Sequence, residues 1–318
     1  MFRVLCLDGG GILGTFTASV LSDFEVQTGK PISESFDLIV GTSTGGILAL
    51  GLGLEFSATD LLDFYRTRGP TIFPHTSRFA RTRASLRQLF APKLDSDPLR
   101  IELSGILHDR KLAEATTRLV IPTYDAVEGR TFLFKTAHSP SLVHDADLLA
   151  VDVALATSAA PTYFRASEAR QLTGSQYVDG GVWANNPSMV GLVEAAKFLA
   201  QPISEIAILS IGTTTTTTTI AQHEHSGALQ WNVGLINLLM RGQSESATSQ
   251  AKLLLGERYH RIDHVAPESM FSMDDGRVDK IEKLIALGRN QARKIANKTP
   301  VFDIFLNGEV ARKFKPIQ

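Results

Sequence analysis

An α/β fold is predicted by two stretches in which a short buried strand runs into a glycine turn and then a helix, and by a third apolar run of the same kind. Val4 to Leu7 leads into Asp8-Gly-Gly-Gly-Ile-Leu-Gly14, and Phe36 to Val40 leads into Gly41-Thr-Ser-Thr-Gly45. Ile206 to Ile211 ends at Gly212. Apolar, β-branched runs this short suit strands covered on both faces. The chain has 318 residues, 43% hydrophobic and 20% charged, enough for a sizeable core, and α/β layers of this length often form one domain. With no repeat and no clear linker, one domain spanning 1–318 is expected.

The first element opens the chain's first cradle. After the Val4 to Leu7 strand, Phe16, Val20, Leu21 and Phe24 recur at three- and four-residue steps, and Gly29 stands where a helix ends. Glycines 9, 10 and 11 therefore open a helix directly after a strand, leaving backbone N–H groups to hold an anion or oxyanion. Gly9-x-Gly11-x-x-Gly14 also matches the dinucleotide fingerprint, which makes a non-enzymatic nucleotide-binding module an alternative. That fingerprint wants an acidic residue at the far end of the second strand. Asp37 stands at the near end instead.

In the second element Ser43 is the apex of a turn flanked by Gly41 and Gly45. A nucleophile held on such a strand-to-helix turn needs hydrogen in place of Cβ at both flanks, because strand and helix pass too close for larger side chains. Ser57 to Tyr65 then begins like a capped helix. From Arg66 to Lys93 the composition changes: Arg66, Arg68, Arg78, Arg81, Arg83 and Arg87 interleave with phenylalanines and leucines, and Pro70, Pro74 and Pro92 break the run. This predicts an irregular cap or lid around 66–93, either simply solvated or meeting phosphate-bearing ligands and anionic lipid.

Leu119 to Thr123 and Thr131 to Lys135 read as neighbouring strands, and Asp147 to Thr157 as a helix. Tyr177-Val-Asp-Gly-Gly181 follows, where Asp179, freed by Gly180 and Gly181, can reach toward another loop. Asn185-Asn-Pro187 can cap the helix from Met189 to Leu199. The seven threonines from Thr213 are low-complexity and predict a flexible loop near the cleft. Val278 to Asn297 spaces Ile281, Leu284, Ile285, Ala292 and Ile295 along one face, as a helix docked on the core would, or one lying on a membrane surface.

Several classes are excluded or disfavoured. A net charge of −1 offers no electrostatic case for a nucleic-acid partner. No apolar run approaches the ~18 residues of a membrane span. The single cysteine, Cys6, cannot form an intrachain disulfide, in keeping with a reducing cytosol, and no export signal is read at the N-terminus. No metal site and no cofactor is implied: there is no His-Glu-x-x-His, and His223-Glu-His225 is too sparse a pattern.

Asp8-Gly-Gly-Gly-x-x-Gly14, Gly41-Thr-Ser-Thr-Gly45 and Asp179-Gly-Gly181, in this order, with Ala156-Thr-Ser-Ala-Ala-Pro161 and Asn185-Asn-Pro187, resemble the patatin-like phospholipases. The resemblance implies a three-layer α/β sandwich with a central, mostly parallel sheet and lipid acyl hydrolase activity. It implies Ser43 as nucleophile, Asp179 as its only base partner, and Gly9, Gly10 and Gly11 as oxyanion hole, with Asp8, Gly14, Gly41, Gly45, Gly180 and Gly181 in support. Leu13 stands where many members carry Arg or Lys, which leaves the headgroup preference open. Compact members of this kind resemble the effector phospholipases of bacterial anti-phage systems, which are switched on by cyclic nucleotides. The expected partners are thus membrane phospholipid or another acyl lipid, met from the cytoplasm at the inner membrane surface, and a cyclic nucleotide activator. A constitutive enzyme limited by access to lipid is the alternative. So is a Ser-Asp-His hydrolase with His260 or His264 as third member, although Arg258-Tyr-His-Arg-Ile-Asp-His264 reads as an edge strand.

Overall fold

In the computed structural model, residues 1–74, 93–140, 142–169, 171–172, 174–216, 228–267, 270–296, 300–311 and 314–317 are described, 216 and 228–237 as backbone only. Seven strands form one sheet: β1 (Phe2–Leu7), β2 (Leu38–Gly41), β3 (Arg118–Asp125), β4 (Arg130–Lys135), β5 (Tyr177–Asp179), β6 (Ile206–Ile211) and β8 (Tyr259–Ile262). Their order is β4-β3-β2-β1-β6-β8, with β5 also paired to β3. Every pairing from β3 to β8 through the centre is parallel, Leu5 lying between Ile39 and Leu209, while β4 and β5 run antiparallel to β3. β7 (Thr215–Thr216) and β9 (Val265–Ala266) form a small parallel pair beyond the sheet.

The alternation of β1 explains the layers. Leu5 and Leu7 point into the larger core, while Val4 and Cys6 point into a second one on the opposite face. Helices α1 (Gly14–Thr28), α2 (Thr44–Gly53), α3 (Ala58–Ile72), α4 (Ser96–Leu107) and α5 (Ala150–Thr157) contribute to the larger core. On the far side, after the short α6 (Gly181–Ala184), α7 (Ser188–Val193) and α8 (Ala228–Leu255) supply Leu192, Ala251 and Leu255. Helix α9 (Val278–Ala296) buries Ile281, Leu284, Ile285, Ala292 and Ile295, most of the face its sequence marks, although Val278 is exposed. It docks on α1, where the Ser19 hydroxyl donates to Ile285 O. This is the α/β sandwich that the resemblance implies.

Some expectations are corrected. The irregular stretch does not begin at Arg66: α3 carries on to Ile72 through Pro70, because a proline near a helix C-terminus removes little of the remaining ladder. Arg66 and Arg68 lie on that helix, paired with Glu282 and Glu102. Arg78, Arg81, Arg83, Arg87 and most of the expected cap lie outside the described residues, as does His223-Glu-His225. The threonine run starts ordered, with Thr215 and Thr216 in β7. The helix expected over Met189 to Leu199 is α7 followed by one π-helical turn, Glu194–Phe198. No described helix is long and apolar enough to cross a membrane.

Candidate active site

The chemistry-bearing turns lie at the carboxyl ends of parallel strands, where an open α/β sheet leaves a crevice. Ser43 follows β2 at φ 56°, ψ −123°, an unfavourable conformation for a residue with a Cβ, and heads α2. A Cβ at Gly41 would lie 2.1 Å from Gly45 O, and one at Gly45 would lie 2.2 Å from Leu7 O. Backbone is in the way in both cases, so the two flanking glycines are required by close approach. The turn is held from below: Ser43 N–H donates to Thr157 Oγ1 (3.0 Å), and that hydroxyl donates to Pro122 O (2.6 Å).

Asp179 ends β5, and its N–H donates to Ala159 O. Its carboxylate accepts the Gly181 N–H at 2.7 Å and lies near enough to the Ser43 hydroxyl for that group to favour its charged form. Gly180 is pressed against Pro122 O, which keeps this turn flush with β3. Burial pushes the Asp179 carboxyl up from its ordinary 3.8 to about 6, with the Ser43 hydroxyl and the Gly181 amide opposing the rise. A carboxylate so placed can take a proton near neutral pH. Among the described residues no histidine lines the cavity at Ser43. His260 packs edge-on against Phe305, and His264 lies beside Phe16, so neither supplies a third member.

The three glycines after β1 do not serve alike. Gly9 N–H donates to Asn185 O at 3.0 Å, so its amide is already committed, which corrects its expected place in the oxyanion hole. Gly9 O in turn accepts the Thr213 hydroxyl at 2.9 Å. Gly10 and Gly11 line the cavity with Ser43 and Asp179, and their amides have no acceptor among the described residues. Gly11 sits at φ 58°, a left-handed conformation that glycine adopts without strain. Gly14 packs against the Thr44 side chain.

Asp8 is a clamp. It is buried, and its two oxygens accept from Arg261 Nη1 (2.9 Å) and Nη2 (2.6 Å), while Arg261 also reaches Asp263 and the Ser210 hydroxyl. β1 is thereby tied to the edge strand β8. Arg261 and Thr157 were not singled out by the sequence; an arginine inside a short edge strand, and a threonine in a run of small residues, were the available signals. Asp37 is likewise engaged elsewhere, accepting Arg3 N–H at the opposite end of β2 from the glycine turns, where no ribose could meet it.

Beyond Ser43 opens an apolar cavity of about 200 Å³. Ile47, Phe64, Ile72, Phe73 and Phe164 form its walls, with Leu239 and Met240 of α8. Leu13 is buried in the core, so no cation stands at that position. Among the described residues no group of three or more His, Cys, Asp or Glu could hold a metal ion. The site thus joins a buried hydroxyl, a proton-accepting carboxylate, two amides and a greasy slot, which suits acyl transfer from an ester with an apolar chain.

The family model of patatin-like phospholipases matches residues 5–191, more than half of the chain. A cGAMP-activated phospholipase from Pseudomonas aeruginosa is 37% identical over 83% of this chain and 79% of its own. Another cGAMP-activated phospholipase, from Vibrio cholerae, is 32% identical over 98% and 96%. Patatin-like protein 2 of Oryza sativa subsp. indica is 33% identical over 63% of this chain and 54% of its own.

Proposed function

The chain belongs to the patatin-like phospholipase family, and from that premise we propose that it is a lipid acyl hydrolase that cleaves phospholipid esters through a Ser43–Asp179 dyad. Asp179 takes the Ser43 proton as Oγ attacks the ester carbonyl. The Gly10 and Gly11 amides receive the oxyanion; one such donor is commonly worth about 3 kcal/mol. Collapse breaks the bond to the alcohol, which leaves with the proton held by Asp179, and the acyl group stays on Ser43. Water then gives its proton to Asp179 and attacks the acyl-enzyme, and the fatty acid departs as Ser43 recovers its proton. The observation that carries this reading is the meeting of Ser43 and a buried Asp179, its carboxyl raised to about 6, in the lining of one apolar cavity.

The relatives' names support a further layer: activation by a cyclic nucleotide, as in a defence effector that degrades membrane when switched on. The enzyme then works as one domain over 1–318, with a cap between the end of α3 and residue 93, meeting the inner membrane surface from the cytoplasm. The test is product analysis by mass spectrometry on phospholipid vesicles with and without cGAMP, alongside fluorophosphonate labelling, with Ser43→Ala as control. Free fatty acid and lysophospholipid that rise with cGAMP and vanish in the control are expected. Labelling lost only in a His260→Ala or His264→Ala protein would overturn the dyad, and equal hydrolysis with and without cGAMP would remove the activator.

A further inference from the structure

A second cavity, of about 630 Å³, lies against the first and belongs to no step above. Leu99, Ser158 and Phe164 line both, so they form the wall between them. The first cavity is walled by hydrocarbon; the second is polar. Its lining carries three cations, Lys93, Arg100 and Arg165, and three carboxylates, Asp95, Asp97 and Glu168. Two of the cations already face acids: Lys93 pairs with Asp274, and Arg100 with the fully buried Asp152 at 3.0 Å. Arg165 and Glu168 are exposed, three residues apart, and neither has an ion pair among the described residues.

Ser158 gives the cavity its second mark. Its hydroxyl is buried, the residue only 6% exposed, and Oγ has no hydrogen-bond partner among the described residues. A buried hydroxyl without a partner is costly, and such a group is commonly satisfied by something that binds. Ser158 also adjoins Thr157 and Ala159, which hold the Ser43 and Asp179 turns. A ligand spanning the wall would meet it just beside the ester.

We propose that the polar cavity is the headgroup subsite for a zwitterionic phospholipid, with Arg165 facing its phosphate, Asp97 and Glu168 facing its ammonium, and Ser158 donating to an oxygen of the glycerol. The inference rests on the lipid-hydrolase reading above. Charge decides the class. A neutral acylglycerol would leave both signs unmatched, and a polyanion would bring two phosphates to a lining whose one unpaired cation is outnumbered by carboxylates. A headgroup with one phosphate and one amine matches both. The subsite also supplies, from another loop, the cation that Leu13 does not.

The experiment compares vesicles of phosphatidylethanolamine, phosphatidylglycerol and diacylglycerol with identical acyl chains, with cGAMP present throughout and a soluble fatty ester as reference. Wild-type protein should prefer phosphatidylethanolamine over both others. Arg165→Glu should lower its use of both phospholipids relative to diacylglycerol, and Glu168→Lys should shift the ethanolamine-to-glycerol ratio toward the anionic lipid, each by roughly two- to fivefold as exposed charge pairs allow. Ser158→Ala should raise KM for phospholipid without lowering the melting temperature, since it removes an unpartnered hydroxyl. A ratio unmoved by both charge changes overturns the subsite, as does equal use of all three lipids by a protein that cleaves the soluble ester, an outcome that leaves the hydrolase reading standing. No hydrolysis of any substrate and no fluorophosphonate labelling removes both. Loss of cGAMP binding in Arg165→Glu or Glu168→Lys, measured by calorimetry in the Ser43→Ala background with the lipid ratio unchanged, would give the cavity to the nucleotide and also overturn the proposal.

Discussion

Asp8 and Asp179 are both buried aspartates at the end of a strand and the start of a glycine turn, and they are held in opposite ways. Asp8 meets a full positive charge in the Arg261 fork at 2.6 Å and 2.9 Å, which opposes but does not cancel the burial that raises its carboxyl from 3.8 to about 6. Asp179 meets only a hydroxyl and an amide, and burial lifts it to about 6. The one is a strut between β1 and β8; the other is left able to gain and lose a proton. Burial raises both alike, so what separates support from chemistry is position: an arginine fork, which neither turn's own sequence reveals, takes both oxygens of Asp8, while Asp179 lines the cavity with Ser43.

The contrast breaks most sharply by exchange of readouts. Asp179→Asn should lower turnover on a soluble ester by about four orders of magnitude or more with the fold retained, and adding Ser43→Ala should cost little further, because the two act as one unit. Arg261→Met should act the other way round, costing about 3–5 kcal/mol in urea unfolding by leaving Asp8 buried without its partner. If Arg261→Met unfolds no more easily than wild type, Asp8 is not the strut described here.

A pH profile sharpens the comparison. Asp179 must be ionised to act as base, so kcat/KM on a soluble ester should rise with pH through about 6 and level off above. A profile flat from pH 5 to 8 would mean that the base lies elsewhere.

The smallest effect is on stability. A carboxyl whose folded pKa stands above its unfolded one destabilises the protein where it is ionised, and the penalty shrinks as pH falls below the folded value and is gone below the unfolded one. For a move from 3.8 to about 6 this is at most ~3 kcal/mol above pH 6. Asp179→Asn should therefore be more stable than wild type at pH 8, with the gap closing toward pH 5. A gap that is the same at both pH values would place its cause outside the ionisation.

The legible parts of the molecule were those governed by steric exclusion or by period. Gly41 and Gly45 are required by backbone contacts of 2.1 Å and 2.2 Å, and that need was visible as a spacing around Ser43. The β3–β4 hairpin and the docking face of α9 followed from alternation and helical steps. Helix α8 was not seen: Ala228 to Met240 carries no charge and shows no polar side to set against an apolar one, while the residues after it are mostly polar. Yet α8 brings Gln243 and Ser244 to Asn186 and Asn185, and Leu239 and Met240 to the cavity. The commitment of Gly9 was equally hidden, since three adjacent glycines look alike until a carbonyl 176 residues away takes one of their amides.

That bond from Gly9 to Asn185, like the Ser43–Asp179 contact, joins an early part of the chain to a late one. During synthesis, at roughly 5–20 residues per second, the serine turn emerges many seconds before its carboxylate does. β1 lacks one of its two neighbours until β6 follows, and Asp8 waits longer still for Arg261. A nascent or truncated chain therefore displays Ser43 without Asp179 beside it. For a member of a phospholipase family, the wiring of the sheet is a safeguard during manufacture, in force until most of the chain has been made.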